Sequence, residues 1–135
     1  MDTFRKWEEF PVGPSGAVSG LHVSLNRKGE IVLGARTFRK FGEPEQISLH
    51  FESRLRLIGI ISTTPKATNC YPLIEKKNGG HRVIRANLFC RHHGIAVSRT
   101  IAFNTAEIED DGKLVLDLSD TRIVTRPKRL RPPGD

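Results

Sequence analysis

A short segment of this chain occurs twice, and the repeat limits the folds that the sequence can adopt. Residues 29–42 and 80–94 each contain a strand-like stretch followed by a short amphipathic stretch that closes with glycine. Identical residues recur at a separation of 51, as in Val32 and Val83, Ala35 and Ala86, and Phe38 and Phe89. A repeated unit commonly buries its apolar face against a neighbouring copy. We therefore expect two similar halves related by a pseudo-two-fold axis.

The pattern of polar and apolar residues predicts a mainly β chain of the α+β class with two short helices. Period-two or continuous apolar stretches predict strands at 22–26, 30–34, 46–52, 55–61, 71–75, 82–86, 99–104 and 114–118. The helices are predicted at 35–41 and 87–93, each with a glycine directly after it. We expect Phe38 and Phe89 to anchor these helices in the core. If the halves superpose, Val32, Phe38 and Ile47 are equivalent to Val83, Phe89 and Ile101.

Proline, glycine and charge divide the chain into five segments. These are a flexible lead-in at 1–20, a first repeat at 21–62, a polar linker at 63–69, a second repeat at 70–120 and a basic, proline-rich, disordered tail at 121–135. The predicted organisation is therefore two small halves that share one core.

The overall composition favours an acidic partner. The chain has 135 residues, 37% of them hydrophobic, and a formal net charge of +7. A strongly basic balance favours nucleic acid or another anionic partner. The two cysteines form no disulfide framework, and no signal peptide or membrane-spanning stretch is evident. We therefore expect a cytoplasmic protein with reduced thiols and no membrane partner.

Basic residues form two groups at matching places in the two repeats. The first group is Arg27, Lys28, Arg36, Arg39 and Lys40, and the second is Lys76, Lys77, Arg82, Arg85 and Arg91. On a hairpin followed by a helix, the two groups would form one continuous positive face that neutralises phosphates. The alternative is a solvated charged surface without a ligand.

No arrangement of residues points to catalysis or to a metal. Cys90 and His92 are too close in sequence for the usual spacing of structural zinc ligands. No third residue is placed to orient a Cys–His pair for nucleophilic attack. Cys90 instead falls on the apolar face of the second predicted helix. We therefore expect a protein that is not an enzyme, with no catalytic residues, no metal and no cofactor.

The order of elements resembles the swapped-hairpin DNA-binding fold of the AbrB and MraZ regulators. The resemblance covers residues 23–51 and the following Leu55-Arg-Leu-Ile, with a weaker second copy. It implies a tandem swapped-hairpin barrel in which a turn glycine, a basic helix and an arginine-rich loop contact DNA. The chain departs from the family in three places: Leu33-Gly34 and Ile84-Arg85 replace Ile-Pro, and Gly29-Glu30 replaces Gly-Arg.

The function expected from these features is regulation of transcription by binding duplex DNA. The basic turn and helix residues would contact phosphates and, where they reach, base edges. Swapped hairpins need partner strands, so the chain is expected to form a homo-oligomer or to satisfy the pairing internally with its two copies. The alternative is a non-enzymatic interaction module, antitoxin-like or phage-associated, that binds an acidic protein with the same face. The arrangement of the two basic groups distinguishes the hypotheses, because DNA binding loses most of its support if the groups point to opposite sides of the molecule.

Overall fold

A computed structural model describes residues 20–64, 69–76 and 80–124, which form two antiparallel sheets and two short helices. The strands are β1 (Val23–Leu25), β2 (Glu30–Leu33), β3 (Gln46–Glu52), β4 (Leu57–Thr63), β5 (Tyr71–Pro72), β6 (Ile74–Glu75), β7 (Arg82–Arg85), β8 (Ile101–Phe103), β9 (Glu107–Ile108), β10 (Leu114–Asp117) and β11 (Thr121–Ile123). The helices are α1 (Ala35–Lys40) and α2 (Asn87–His92). The prediction of a mainly β chain with two short helices is confirmed.

The two sheets do not close into a barrel, so that part of the prediction is wrong. The six-stranded sheet has the order β11-β8-β1-β2-β7-β6, and the five-stranded sheet has the order β9-β10-β4-β3-β5. Strands β5, β6 and β9, which lie at sheet edges, are each only two residues long. Such short edge strands offer few backbone groups for further pairing.

The core is built from the apolar residues that alternate along the inner strands. In β2, for example, Ile31 and Leu33 are fully buried, whereas Val32 between them is only half-buried. Their neighbours in the hydrophobic core include Val23, Leu25, Ile47, Ile58, Ile60, Ile84, Leu114 and Leu116. Period-two alternation places these side chains on one face of each strand. Both sheets therefore contribute to a single core.

Each sheet joins a hairpin of the first repeat to a hairpin of the second. In the six-stranded sheet, β2 pairs with β7, and Val32 lies directly opposite Val83. Because these two residues are equivalent in the sequence repeat, the register is symmetric about them. In the five-stranded sheet, β4 pairs with β10, and Gly59 lies opposite Val115. The two halves thus meet through inner strands of both sheets, as a pseudo-two-fold arrangement requires.

Equivalent residues of α1 and α2 are 52 positions apart in the sequence, whereas equivalent residues of β2 and β7 are 51 positions apart. At the helix offset, buried Thr37 and Phe38 match buried Phe89 and Cys90, and exposed Arg39 matches exposed Arg91. Gly42 and Gly94, which follow the two helices, are also 52 positions apart, and both have a positive φ, of 98° and 68°. The burial predicted for Phe38 and Phe89 is confirmed, since each is 7% exposed. Their positions in the two helices nevertheless differ by one residue.

The predicted equivalence of Ile47 and Ile101 is wrong. Ile47 lies in β3 of the five-stranded sheet, whereas Ile101 lies in β8 of the six-stranded sheet. After α2 the chain adds β8 before it forms the hairpin β9–β10. That hairpin, and not β8, takes the place corresponding to β3 and β4.

The predicted basic tail begins too early, because Thr121–Ile123 pairs with β8 as strand β11. Alternating side chains allow this short stretch to extend the sheet despite its polar composition. The predicted linker also starts one residue early, since Thr63 ends β4. The described residues do not include 1–19, 65–68, 77–79 and 125–135. Most of the predicted lead-in and tail therefore lies outside the described residues.

Candidate functional site

The turn between β1 and β2 displays two basic side chains at its tip. The Asn26 Oδ1 accepts hydrogen bonds from the backbone N–H groups of Lys28, at 2.9 Å, and Glu30, at 3.0 Å. The Asn26 amide also donates to Glu30 Oε1 at 2.9 Å. Gly29 adopts a φ of 83°, which favours glycine. This network holds the turn from within and leaves Arg27 and Lys28 exposed.

The same turn packs against the start of α2, which belongs to the other repeat. The Ala86 backbone N–H donates to the Gly29 carbonyl at 3.0 Å. A Cβ atom placed on Gly29 would lie 2.7 Å from Asn87 Cα, so only glycine allows this approach. In the corresponding place a Cβ on Gly80 would lie 3.3 Å from Ala35 Cβ, beside α1. Gly29 and Gly80 therefore each lie beside the helix of the opposite repeat.

A groove of about 410 Å³ lies between the turn and the segment that follows α2. We call it the basic groove, because Arg27, Lys28 and Arg91 line it and no carboxylate from the described residues does. Its apolar lining includes Leu25, Cys90, Ile95, Ala96 and Val97. The groove thus combines three cationic side chains with an apolar interior.

The three cations of the basic groove are not engaged elsewhere in the described part of the chain. No ion pair joins Arg27, Lys28 or Arg91 to any residue in the described ranges 20–64, 69–76 and 80–124. The nearest acidic residue in the sequence is Glu30, and its carboxylate accepts a hydrogen bond from the Asn26 amide. The charges of the groove are therefore available to an anionic ligand.

The basic residues of the first helix lie at the other end of the central strands. Helix α1 follows the last residue of β2, Leu33, which pairs with the first residue of β7, Arg82. Helix α2 follows the last residue of β7, Arg85, which pairs with the first residue of β2, Glu30. The basic side chains on α1 are exposed: Arg36, Arg39 and Lys40. The expected grouping of the first turn with the first helix is therefore wrong, because the antiparallel β2–β7 pair places α1 and α2 at opposite ends.

The remaining basic residues of the second group have different surroundings. Arg82 is mostly buried, with its guanidinium 4.2 Å from the centre of the Phe38 ring, and it donates to the Gly80 carbonyl at 2.8 Å. It also lies 3.9 Å from Glu75. Arg85 and Lys76 are exposed, and Lys77 lies outside the described residues. Arg82 is thus engaged within the fold, whereas Arg85 and Lys76 remain accessible.

The cysteine and histidines of α2 contribute to packing. Cys90 is 4% exposed, and burial raises the pKa of its thiol. The His93 ring lies 4.7 Å from the Phe89 ring and 4.8 Å from the Phe51 ring. Partial burial lowers the pKa of His93, with a smaller contribution from neighbouring His92. Within the described ranges, no three His, Cys, Asp or Glu side chains are grouped to hold a metal ion.

Two parts of the basic groove were not identified from the sequence. These are Asn87, at the first position of α2, and the segment 94–97. Gly94 signals the end of α2, but nothing local indicates that the chain then passes beside the turn of the first repeat. Only the pairing of β2 with β7 shows that Asn87 and the segment 94–97 lie beside the β1–β2 turn.

Among the described residues, no helix has the length and apolar character needed to cross a membrane. Comparison of the chain with protein-family models, curated proteins and solved structures finds no match.

Proposed function

We propose that the protein binds duplex DNA and acts as a regulator of transcription. The observation that supports this most is the convergence of Arg27, Lys28 and Arg91 on one groove, whose lining by described residues includes no carboxylate. Because these cations lack ion pairs within the described chain, binding a phosphate would not break one. Phosphate neutralisation with counterion release supplies most of the affinity in such complexes.

The opposite end of the β2–β7 pair carries a second set of basic side chains. There, Arg36, Arg39 and Lys40 project from α1 into solvent. The matching offset of the helices makes Arg39 the counterpart of Arg91. A single chain thus presents two related basic sites, and these would contact separate phosphates of one duplex.

The crossed contacts of the turns and helices favour a swapped-hairpin arrangement like that of AbrB and MraZ. Gly29 packs on α2, and Gly80 packs near α1. In this proposal the two repeats of one chain take the places of two subunits. Arg82 is left out of the proposed DNA contacts because it stacks on Phe38.

The proposal is tested by fluorescence anisotropy with a labelled duplex at several salt concentrations. The logarithm of the affinity should fall with the logarithm of the salt concentration, at a slope of about −0.9 per phosphate neutralised. Arg27→Ala, Arg91→Ala, Arg36→Ala and Arg39→Ala should each weaken binding and reduce the slope by about 1. Arg54→Ala is the matched control, because Arg54 is 85% exposed on the β3–β4 turn.

Arg131→Ala, in the basic tail, should weaken binding less than the helix variants if the tail adds only nonspecific attraction. Absence of binding at low salt, or equal losses from the tail and helix variants, would contradict the proposal. Either result would favour the alternative of an acidic protein partner.

A further inference from the structure

Binding of duplex DNA does not explain the apolar interior of the basic groove. A rigid duplex presents phosphates to exposed cations, but its bases remain stacked inside the helix. Exposed Ala96 and half-buried Val97 line the groove, together with the buried Leu25, Cys90 and Ile95. A ligand that fills the groove must therefore carry an apolar body as well as negative charge.

The size and chemistry of the groove match a small organic phosphate. Its volume of about 410 Å³ lies within the range of small-molecule sites in proteins, which is roughly 300–1,000 Å³. Arg27, Lys28 and Arg91 supply positive charge from both walls. Such charge complementarity favours a phosphate group, because arginine binds it through two parallel hydrogen bonds.

One neutral polar group completes the site. Asn87 lines the groove and is exposed, and its side-chain amide forms no hydrogen bond with any described residue. An amide carries both donors and an acceptor, which suits the polar edge of a nucleobase. Asn26 lines the groove too, but its amide is engaged with Lys28 and Glu30.

We infer that the basic groove binds a free nucleoside monophosphate, with the phosphate on Arg27, Lys28 and Arg91 and the base against the apolar lining. The polar edge of the base lies toward Asn87. This inference goes beyond DNA binding and does not depend on it, because the apolar lining is the feature it adds. A nucleotide in this place would occupy the cations that the proposed DNA complex uses, and would therefore compete with DNA.

Isothermal titration calorimetry of the full chain with AMP tests the inference. AMP should bind at least about tenfold more tightly than inorganic phosphate or adenosine alone, because each lacks one half of the required chemistry. Arg91→Ala should weaken AMP binding by about tenfold, as expected for loss of a charge-assisted hydrogen bond. Arg54→Ala should leave the affinity for AMP unchanged.

Two variants separate this inference from the proposed function. Ala96→Trp places a bulky side chain at an exposed position of the groove without removing a cation, and it should lose AMP binding. Arg36→Ala, on α1 and outside the groove lining, should weaken binding to duplex DNA and leave the affinity for AMP unchanged. If Ala96→Trp folds poorly, Arg91→Ala and the amide resonances of Gly29, Asn87 and Ile95 during an AMP titration still report on the site.

The inference would be overturned by AMP binding no tighter than phosphate, by AMP affinity unchanged in Arg91→Ala, or by resonance shifts confined to residues outside the groove. Tight binding of single-stranded oligonucleotide without binding of AMP would assign the groove to unpaired bases of a polymer and would also overturn it. Failure to bind duplex DNA would contradict the proposed function alone.

Discussion

At the scale of single residues, the surroundings of a charged side chain decide its role. Arg82 and Arg85 are three positions apart in the same strand, and both belong to the predicted basic group. Arg82 stacks on Phe38 and donates to the Gly80 carbonyl, whereas Arg85 is exposed. Stacking of a guanidinium on an aromatic ring stabilises a fold most where the pair is desolvated. One arginine therefore supports the fold, and the other is free to contact a ligand.

Arg82→Ala should lower the free energy of unfolding by about 1–2 kcal/mol, through loss of the ring contact and the hydrogen bond to Gly80. Arg85→Ala should change it by less than about 0.5 kcal/mol, as is usual for an exposed position. Urea denaturation measures both values. Equal stabilities for the two variants would show that the Phe38 contact contributes little.

We expect His22 to contribute a pH-dependent part of the stability of the fold. Burial lowers the pKa of His22 below the ordinary value of 6.5, and the positive charges of Arg122 and His81 lower it further. The unfolded chain therefore binds a proton at this residue more readily than the folded chain does. The contribution of His22 to stability is complete above about pH 6.5 and is lost as the pH falls through the lowered pKa.

Urea midpoints should consequently fall as the pH is lowered from about 7.5 to about 5. His22→Gln should reduce this dependence without abolishing it, because His93 has a lowered pKa as well. His50→Gln, at an exposed position on β3, is the matched control. An unchanged pH dependence in His22→Gln would contradict the assignment.

At the scale of elements, the close approach of a turn to a helix determines how the two repeats fit together. Gly29 and Gly112 both lie in hairpin turns and have φ values of 83° and 92°. A Cβ on Gly29 would meet Asn87 Cα at 2.7 Å, whereas a Cβ on Gly112 would meet nothing within 4 Å. The two glycines share their backbone conformation and differ only in their tertiary contact.

Gly112→Ala should therefore cost only the strain of the left-handed conformation, about 1–2 kcal/mol. Gly29→Ala should cost about 1–3 kcal/mol more, because α2 must shift away from the turn. Denaturant titration of the two variants measures the difference. Similar losses would show that the contact with α2 yields easily, and the basic groove would then lack a rigid wall.

At the scale of the whole molecule, neither repeat has a complete sheet of its own. The inner pairs β2–β7 and β4–β10 both join one repeat to the other. Hydrophobic residues from both repeats also share one core cluster. An isolated repeat would expose an inner strand edge and half of the core, which disfavours independent folding.

Separate polypeptides divided at residue 66 should therefore be largely unfolded alone and should regain β structure when mixed. Circular dichroism and size-exclusion chromatography would follow the recovery. The full chain is the positive control, and a half that folds as a monomer would contradict the shared core. A half that forms a dimer would indicate that β2 or β7 pairs with its own copy.

The sequence by itself determined most of the strands, both helices and the burial of Phe38 and Phe89, but it did not indicate β9 or β11. These features depend on local periodicity and on glycine, which act within a few residues of chain. It also indicated Arg27, Lys28 and Arg91 as candidate site residues, because charged residues in predicted turns and short helices are usually exposed. Only the tertiary structure decided that Arg91 faces the first turn, that Arg82 stacks on Phe38 and that Ile101 belongs to the other sheet. Those outcomes depend on strand pairing between distant segments, and many registers are compatible with the same alternating pattern.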